Sequence, residues 1–314
     1  IPRLTAWAPP RALVLKSCVM KRLADFQRGN NQKTEHAWDE FASHRQRVMD
    51  ILLRSPAAAS ENPTLALLGY GNGNDVELSR LVERFSTLHL VDLDAEAVQA
   101  SLTRSGLVNH PRLAVNAPVD LSGILSELER WRASHPLNST SSPPSPVDGT
   151  TVEEMPWLNL AAQSPLPFTH SCEVTASLCV LTQMIDSVVA TFGDPSPYLL
   201  PTVQAVRLRH LEMLLELTSP SGTAVFVTDV VSSSTAPELT TWDETALPDL
   251  LMQLVRARNF FTGANPFAIL NQLKTTVTLA SRIQSIHLVA PWRWQMGSRV
   301  YLVTAIVIQR NDLA

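Results

Sequence analysis

The sequence predicts an α/β protein with a doubly wound, mostly parallel sheet. Three observations carry that expectation: short continuous apolar runs, helical periodicity between them, and a glycine-rich turn directly after the first run. Leu65, Ala66, Leu67 and Leu68 form that first run, the pattern of a strand buried on both faces, and it stops at Gly69. In the turn GYGNGND, Gly69, Gly71 and Gly73 remove side chains where backbone must approach a ligand, and glycine tolerates positive φ. Asn74 or Asp75 can cap the next helix, predicted over Asn74 to Phe85 from Leu78, Leu81, Val82 and Phe85 at helical spacing. Leu88 to Val91 reads as the second strand and ends at Asp92. A carboxylate there, beside a glycine turn, can accept hydrogen bonds from both hydroxyls of a ribose. The unit is βαβ with an opening suited to a nucleotide-type ligand.

The dinucleotide fingerprint would need a third glycine at position 74, where the chain has Asn74. The observed G-x-G-x-G spacing, followed by an acid at the end of the next strand, resembles the first two motifs of the class I S-adenosylmethionine-dependent methyltransferases. The resemblance implies a seven-stranded sheet whose last strand is antiparallel, with S-adenosylmethionine as cofactor and S-adenosylhomocysteine as product. It also implies roles. Gly69, Tyr70, Gly71, Asn72 and Gly73 would pass under the methionine part, Asp92 and Leu93 would hold the ribose, and Asp120 and Leu121 would meet the adenine. Cys179, at the end of the fourth strand, completes the implied cofactor contacts. Asp120 has a second reading as the cap of a helix from Leu121 to Trp131, and one residue can do both.

The remaining elements follow in the family's order. Arg112 to Val115 reads as the third strand, Val174 to Leu181 as the fourth, and Thr223 to Val227 as the fifth, the last reached through a helix from Thr202 to Leu217. Ile286 to Val289 and Val300 to Ile308 are the closing hairpin, separated by Ala290 to Arg299. The resemblance covers residues 64 to 310.

Composition agrees with one elaborated domain. With 314 residues, 45% of them hydrophobic and 17% charged, the chain can bury a large core. No apolar run reaches the roughly 18 residues of a membrane span. Cys18, Cys172 and Cys179 lack C-x-x-C spacing, which favours a reducing, cytoplasmic setting and argues against a metal site. A formal net charge of −4 without a basic block disfavours nucleic acid as acceptor and leaves a small molecule or a protein side chain. Residues 1–60 read as an N-terminal extension with a helix at about 36–54, and 61–314 as the methyltransferase-like domain. Met20, before Lys21 and Arg22, would serve as a translation start, so residues 1–19 are expected to be dispensable. At about 135–165 the chain turns rich in proline, serine and threonine, a composition that reads as a surface or disordered insertion.

The chemistry is less legible. Methyl transfer from a sulfonium is an in-line displacement, in which positioning can outweigh acid or base strength. Ligands bind outside the carboxyl ends of parallel strands. By that logic the fourth strand delivers Cys179, Thr182 and Gln183, the fifth Asp229 and Ser232, and the sixth Pro291 to Trp294. Each candidate has a plainer reading. Cys179 is a small hydrophobe, Gln183 a cap, Asp229 a loop anchor and His210 a core histidine. Trp292, Arg293 and Trp294 can wall an acceptor pocket or pack under the last hairpin. Arg45 interrupts the apolar stripe Trp38, Phe41, Val48, Leu52. It either snorkels from a core-facing helix or, with His44, reaches the opening from a lid. The fourth strand ends in LCVLTQ, without the D/N-P-P-Y/F/W motif of amino-methylating nucleic-acid enzymes or the aspartate usual in aminopropyltransferases. A non-catalytic methyltransferase-like module and a nicotinamide oxidoreductase are the alternatives, the latter opposed by Asn74.

Overall fold

The computed structural model describes residues 28–135, 155–193 and 196–312. One sheet contains β1 (Thr64–Leu68), β2 (Thr87–Val91), β3 (Leu113–Asn116), β4 (Cys172–Leu178), β5 (Thr218–Ser232), β6 (Ile283–Leu288), β7 (Trp292–Met296) and β8 (Arg299–Arg310). The order is β3-β2-β1-β4-β5-β8-β6, with β7 also on β8. β1 to β5 are parallel, and β8 runs antiparallel to its neighbours on both sides. The eighth strand adds no new position. β6 pairs with β8 from Arg310 to Ile306, and β7 pairs with the same strand from Val303 to Arg299. Val289 N still donates to Ala305 O at 2.8 Å, after which Pro291, lacking an N–H, stands at the break. The sheet thus has the seven expected positions, the sixth in two pieces. The segment Ala290 to Arg299, expected only to separate two strands, contains β7.

Both faces are covered, which is why the central strands read as continuous apolar runs. Helices Ala42–Arg54, Leu78–Arg84 and Ala95–Ser105 pack over Leu65, Leu67, Leu88, Leu90, Val225 and Val227. Helices Leu125–Ser134, Pro156–Ala162, Val180–Phe192 and Leu199–Glu216 cover Val91, Phe226 and Ile306 on the other face. A third cluster, unanticipated from sequence, seats Leu247, Leu250, Leu251 and Leu254 of helix Leu247–Arg256 on Val230, Val231 and Leu302. No helix of the described residues is long and apolar enough to cross a membrane.

Several boundaries move for local reasons. The helix after the glycine turn starts at Leu78, not Asn74, because Asn74 is held by other partners: its amide donates to Thr34 O and its carbonyl accepts from Arg45. The helix expected from Leu121 begins at Leu125, after Gly123 at φ 68°. β4 ends at Leu178, not Leu181. Cys179 adopts φ 49° and Val180 opens a helix, so Leu181 is an apolar helix residue misread as strand. β5 is longer than expected and bulges between Asp229 and Val231. The helix expected at 36–54 forms over Ala42–Arg54, and residues 28–34 form a separate helical segment. Of the Pro/Ser/Thr-rich insertion, 136–154 lies outside the described residues, as do residues 1–27 with Met20. Its remainder is ordered: Pro156 starts a helix, and buried Trp157 donates from Nε1 to Thr202 Oγ1 at 2.8 Å.

Candidate cofactor site

β1 and β4 are neighbours, yet the helices that follow them cover opposite faces, so a crevice opens between their carboxyl ends. The glycine turn lies there, and its three glycines do different work. A Cβ on Gly69 (φ 79°) would stand 2.4 Å from Val180 Cβ, so Gly69 lets the second helix start against the first turn. A Cβ on Gly73 (φ 65°) would stand 2.4 Å from Tyr70 Oη and 2.5 Å from Ser101 Oγ. Only Gly71 opens toward the mouth, where its Cβ would meet Asn31 Oδ1 at 3.3 Å and Asp92 Oδ2 at 4.0 Å. Tyr70 is buried with its hydroxyl 2.8 Å from Ser101 Oγ, and burial pushes its pKa up to about 12. Its side chain supports the turn from beneath. Asn72 turns outward to Asn31 O (2.6 Å) and Thr34 Oγ1 (3.0 Å).

Asp92 closes the other side of the mouth. Its Oδ2 accepts from Gly71 N at 2.7 Å and its Oδ1 from Asp94 N at 2.8 Å. Burial nevertheless outweighs those two bonds and raises its pKa to about 6. Asp94 caps helix Ala95–Ser105 by accepting from Glu96 N and Ala97 N. Asp120 accepts from Ser122 N (2.9 Å), Ser122 Oγ (2.6 Å) and Leu125 N (3.0 Å). The cap residue is Ile124, not Asp120, which nonetheless satisfies the first N–H of helix Leu125–Ser134 from the preceding turn. Asp92, Leu93, Asp120 and Leu121 line one crevice together with Val119, Leu125, Val180 and Met184. Its volume is about 20 Å³, room for little more than one water. A purine would enter there only by moving side chains.

The acceptor-side candidates divide. Asp229 is buried at the end of β5, with Oδ1 accepting from Thr182 Oγ1 at 2.7 Å. Burial is the main cause that raises its pKa to about 7, and the carboxylates of Asp186 and Asp75 add to it. Cys179 is buried beside it, its thiol pushed well above the ordinary range by burial and then by Asp229, which leaves no nucleophilic thiolate. Gln183 is half-buried in the first turn of helix Val180–Phe192 and does not cap it, since the cap position is Cys179.

Trp294 packs otherwise than a pocket wall would, whereas Trp292, with Pro291, borders a cavity of about 610 Å³ that Arg54 and His287 also line. Trp292 and Trp294 are buried under helix Ala42–Arg54, and Trp294 stacks on His44 at 4.6 Å and meets Phe41 edge-on at 4.9 Å. Trp292 Nε1 donates to His44 Nδ1 at 3.1 Å; because an indole only donates, the His44 proton sits on Nε2, 3.0 Å from Asp75 Oδ1. Arg293 is half-buried and reaches Leu239 O at 3.4 Å. Arg45, buried on the same helix, donates to Trp38 O (2.9 Å) and Asn74 O (3.0 Å), and its guanidinium lies 3.5 Å over the Trp38 ring. Arg45 therefore braces the glycine turn from behind. A lid is expected from sequence only at the helix of about 36–54; the contacts of Asn31 and Thr34 with the glycine turn are made by asparagine and threonine groups that show no periodicity in the sequence.

The sheet order with its single antiparallel strand between β5 and β6 is the class I methyltransferase fold. Similar solved structures include the N-methyltransferase NodS from Bradyrhizobium japonicum WM9, at 10% identity and TM-score 0.44 over 88% of this chain and 99% of that one. An O-methyltransferase family protein from Burkholderia thailandensis gives 12% and 0.42 over 92% and 60%. An rRNA methylase from Streptococcus thermophilus gives 9% and 0.38 over 85% and 93%. At such values none of them assigns an acceptor. No family model and no curated protein matches the chain.

Proposed function

We propose that this chain is an S-adenosylmethionine-dependent methyltransferase acting in the cytoplasm on a small molecule or a protein side chain. The observation that carries the reading is the Gly71–Asp92 pair: a bare glycine backbone and a buried carboxylate 2.7 Å apart at the switch point between β1 and β4. The residues fit the cofactor in kind. Asp92 offers acceptors for ribose hydroxyls, and Leu93, Val119, Leu121, Val180 and Met184 offer apolar walls for a purine beside the Asp120 carboxylate. When bound, the cofactor supplies an electrophilic methyl group on a sulfonium. The chain's own part is to orient the acceptor and take its proton.

Asp229 is the residue we assign to the proton. A carboxyl with a pKa near 7 is half ionised at neutral pH and matched to deprotonating an amine or hydroxyl as it is attacked. Thr182 holds its Oδ1, which orients the carboxyl at the carboxyl-terminal part of β5. The acceptor class, small molecule or protein, is supported by the net charge of −4 without a basic block.

The test is transfer of labelled methyl from S-adenosylmethionine to a panel of amines, phenols and peptide extracts. Turnover on one class, lowered about a hundredfold by Asp229→Asn with little change in KM, supports the reading. Cofactor binding without transfer to any acceptor would favour a module that keeps the fold without turnover.

A further inference from the structure

The cavity of about 610 Å³ lies on the sheet face covered by helix Ala42–Arg54, opposite the helices that wall the cofactor crevice, and shares no lining residue with that crevice. Its origin is the break in the sixth sheet position. Pro291 cannot donate to β8, Ala290 beside it carries only a methyl group, and the space between β6, helix Ala42–Arg54 and the 244–248 turn stays open. The floor is apolar, made by Val289, Ala290, Trp292 and Val307. Trp292 spends its indole N–H on His44, so it shows the cavity only ring carbon. The rim is charged. Arg47, Asp50 and Arg54 stand three and four residues apart on one face of helix Ala42–Arg54, and Glu244 and His287 close the other sides.

We infer that this cavity is a binding site, separate from the cofactor crevice, for a small organic monocarboxylate with an apolar body. Its volume falls in the roughly 300–1,000 Å³ range of small-molecule sites, and an apolar floor with a few convergent polar groups is their usual composition. The charge follows from which rim groups are already engaged. Asp50 accepts from Gln46 Nε2 at 2.8 Å and lies 3.8 Å from Arg54, so those two answer one another. Glu244 stands in the first turn of a helical segment, where an acid is favoured locally. Arg47 has no such local role, and among the described residues it has neither a hydrogen bond nor an ion pair. Its guanidinium is a free donor fork matched to a carboxylate, and the His287 ring adds a further N–H. With Asp50 and Glu244 on the same rim, one negative charge on the ligand is favoured over two, so a carboxylate fits better than a phosphate ester. The inference stands independently of the cofactor reading.

The experiment is calorimetric titration of the full chain with naphthoate, with naphthalenemethanol as the neutral analogue and naphthyl phosphate as the dianion. Naphthoate should bind about tenfold more tightly than either. Arg47→Ala changes an exposed side chain and should weaken naphthoate about tenfold, the worth of one charge-assisted hydrogen bond, while leaving the alcohol unchanged. Ala290→Trp fills the cavity and should abolish binding of both, whereas Asp92→Ala should alter neither. Arg47→Ala decides the matter alone if the tryptophan variant does not fold. Absence of naphthoate binding, equal affinity for the alcohol, or naphthoate binding unchanged in Arg47→Ala would overturn the site. Tighter binding of the phosphate would overturn the monocarboxylate assignment.

Discussion

Buried titratable side chains give the most direct consequences at the residue scale. His210 is fully buried, its Nε2 2.7 Å from Ser177 Oγ and its Nδ1 without a partner, and burial lowers its pKa from 6.5 to about 4. The unfolded chain therefore takes up a proton that the folded chain refuses. Stability is intact above about pH 6.5 and falls as the pH drops toward 4, by roughly 3 kcal/mol across that window. Urea melts at a series of pH values, compared with His210→Leu, check this; the variant should lose that part of the slope. Asp229 behaves in the opposite sense. Its folded pKa is raised, so the stability it permits is complete below the carboxyl's ordinary 3.8 and is lost as the pH rises through about 7. Asp229→Asn keeps an acceptor for Thr182 and should raise the melting temperature at alkaline pH while lowering turnover.

At the same scale, the glycines separate stability from ligand contact. Gly73→Ala drives a Cβ into Tyr70 and Ser101 at positive φ and should cost roughly 1–3 kcal/mol. Gly71→Ala meets Asn31 Oδ1 at 3.3 Å and Asp92 Oδ2 at 4.0 Å, so it should cost about 1 kcal/mol of stability yet weaken ligand binding more than Gly73→Ala does at matched folded fraction.

Among elements, Trp294 of β7 belongs to packing. Trp294→Ala removes a buried ring stacked on His44 and should cost about 3–5 kcal/mol, lowering cofactor and acceptor binding together through loss of the fold. Selective loss of acceptor binding would restore the pocket-wall reading. A second element-scale expectation concerns the loop entering β4. His89 on β2 accepts from Asn116 Nδ2 at Nδ1 (3.3 Å), so it carries its proton on Nε2 and donates to His170 Nε2 at 2.7 Å. Burial lowers the His89 pKa from 6.5 to about 4, and a proton added at its Nδ1 would face the Asn116 amide donor. β2 at His89 and the 166–171 loop packed on it should therefore loosen as the pH falls toward 4, seen as faster amide exchange there than in β4.

Across the whole molecule, the legible parts of the sequence were those ruled by one local pattern. β1, β2 and their glycine turn needed only a continuous apolar run, three glycines and Asp92, and all of them lie where that pattern puts them. Leu181 and Asn74 were misassigned because their local patterns were overridden, one by the φ 49° turn at Cys179 and the other by bonds to Thr34 and Arg45. The cover over Gly71 and the burial of Trp292 and Trp294 depend on partners 40 to more than 200 residues away, as in Asn74 with Thr34 (separation 40) and Trp292 with His44 (248). No local pattern encodes such contacts. Helix Leu247–Arg256 is of the opposite kind, since Leu247, Leu250, Leu251 and Leu254 recur at a helical spacing that is local.

The central claim is a cofactor site built on Gly71 and Asp92, and calorimetric titration of the full chain with S-adenosylmethionine tests it most directly, with NAD for comparison and Asp92→Ala as control. Micromolar binding of S-adenosylmethionine alone, lost in Asp92→Ala while the variant stays folded, is the predicted result. Binding of NAD instead, or S-adenosylmethionine binding that survives Asp92→Ala, would contradict it.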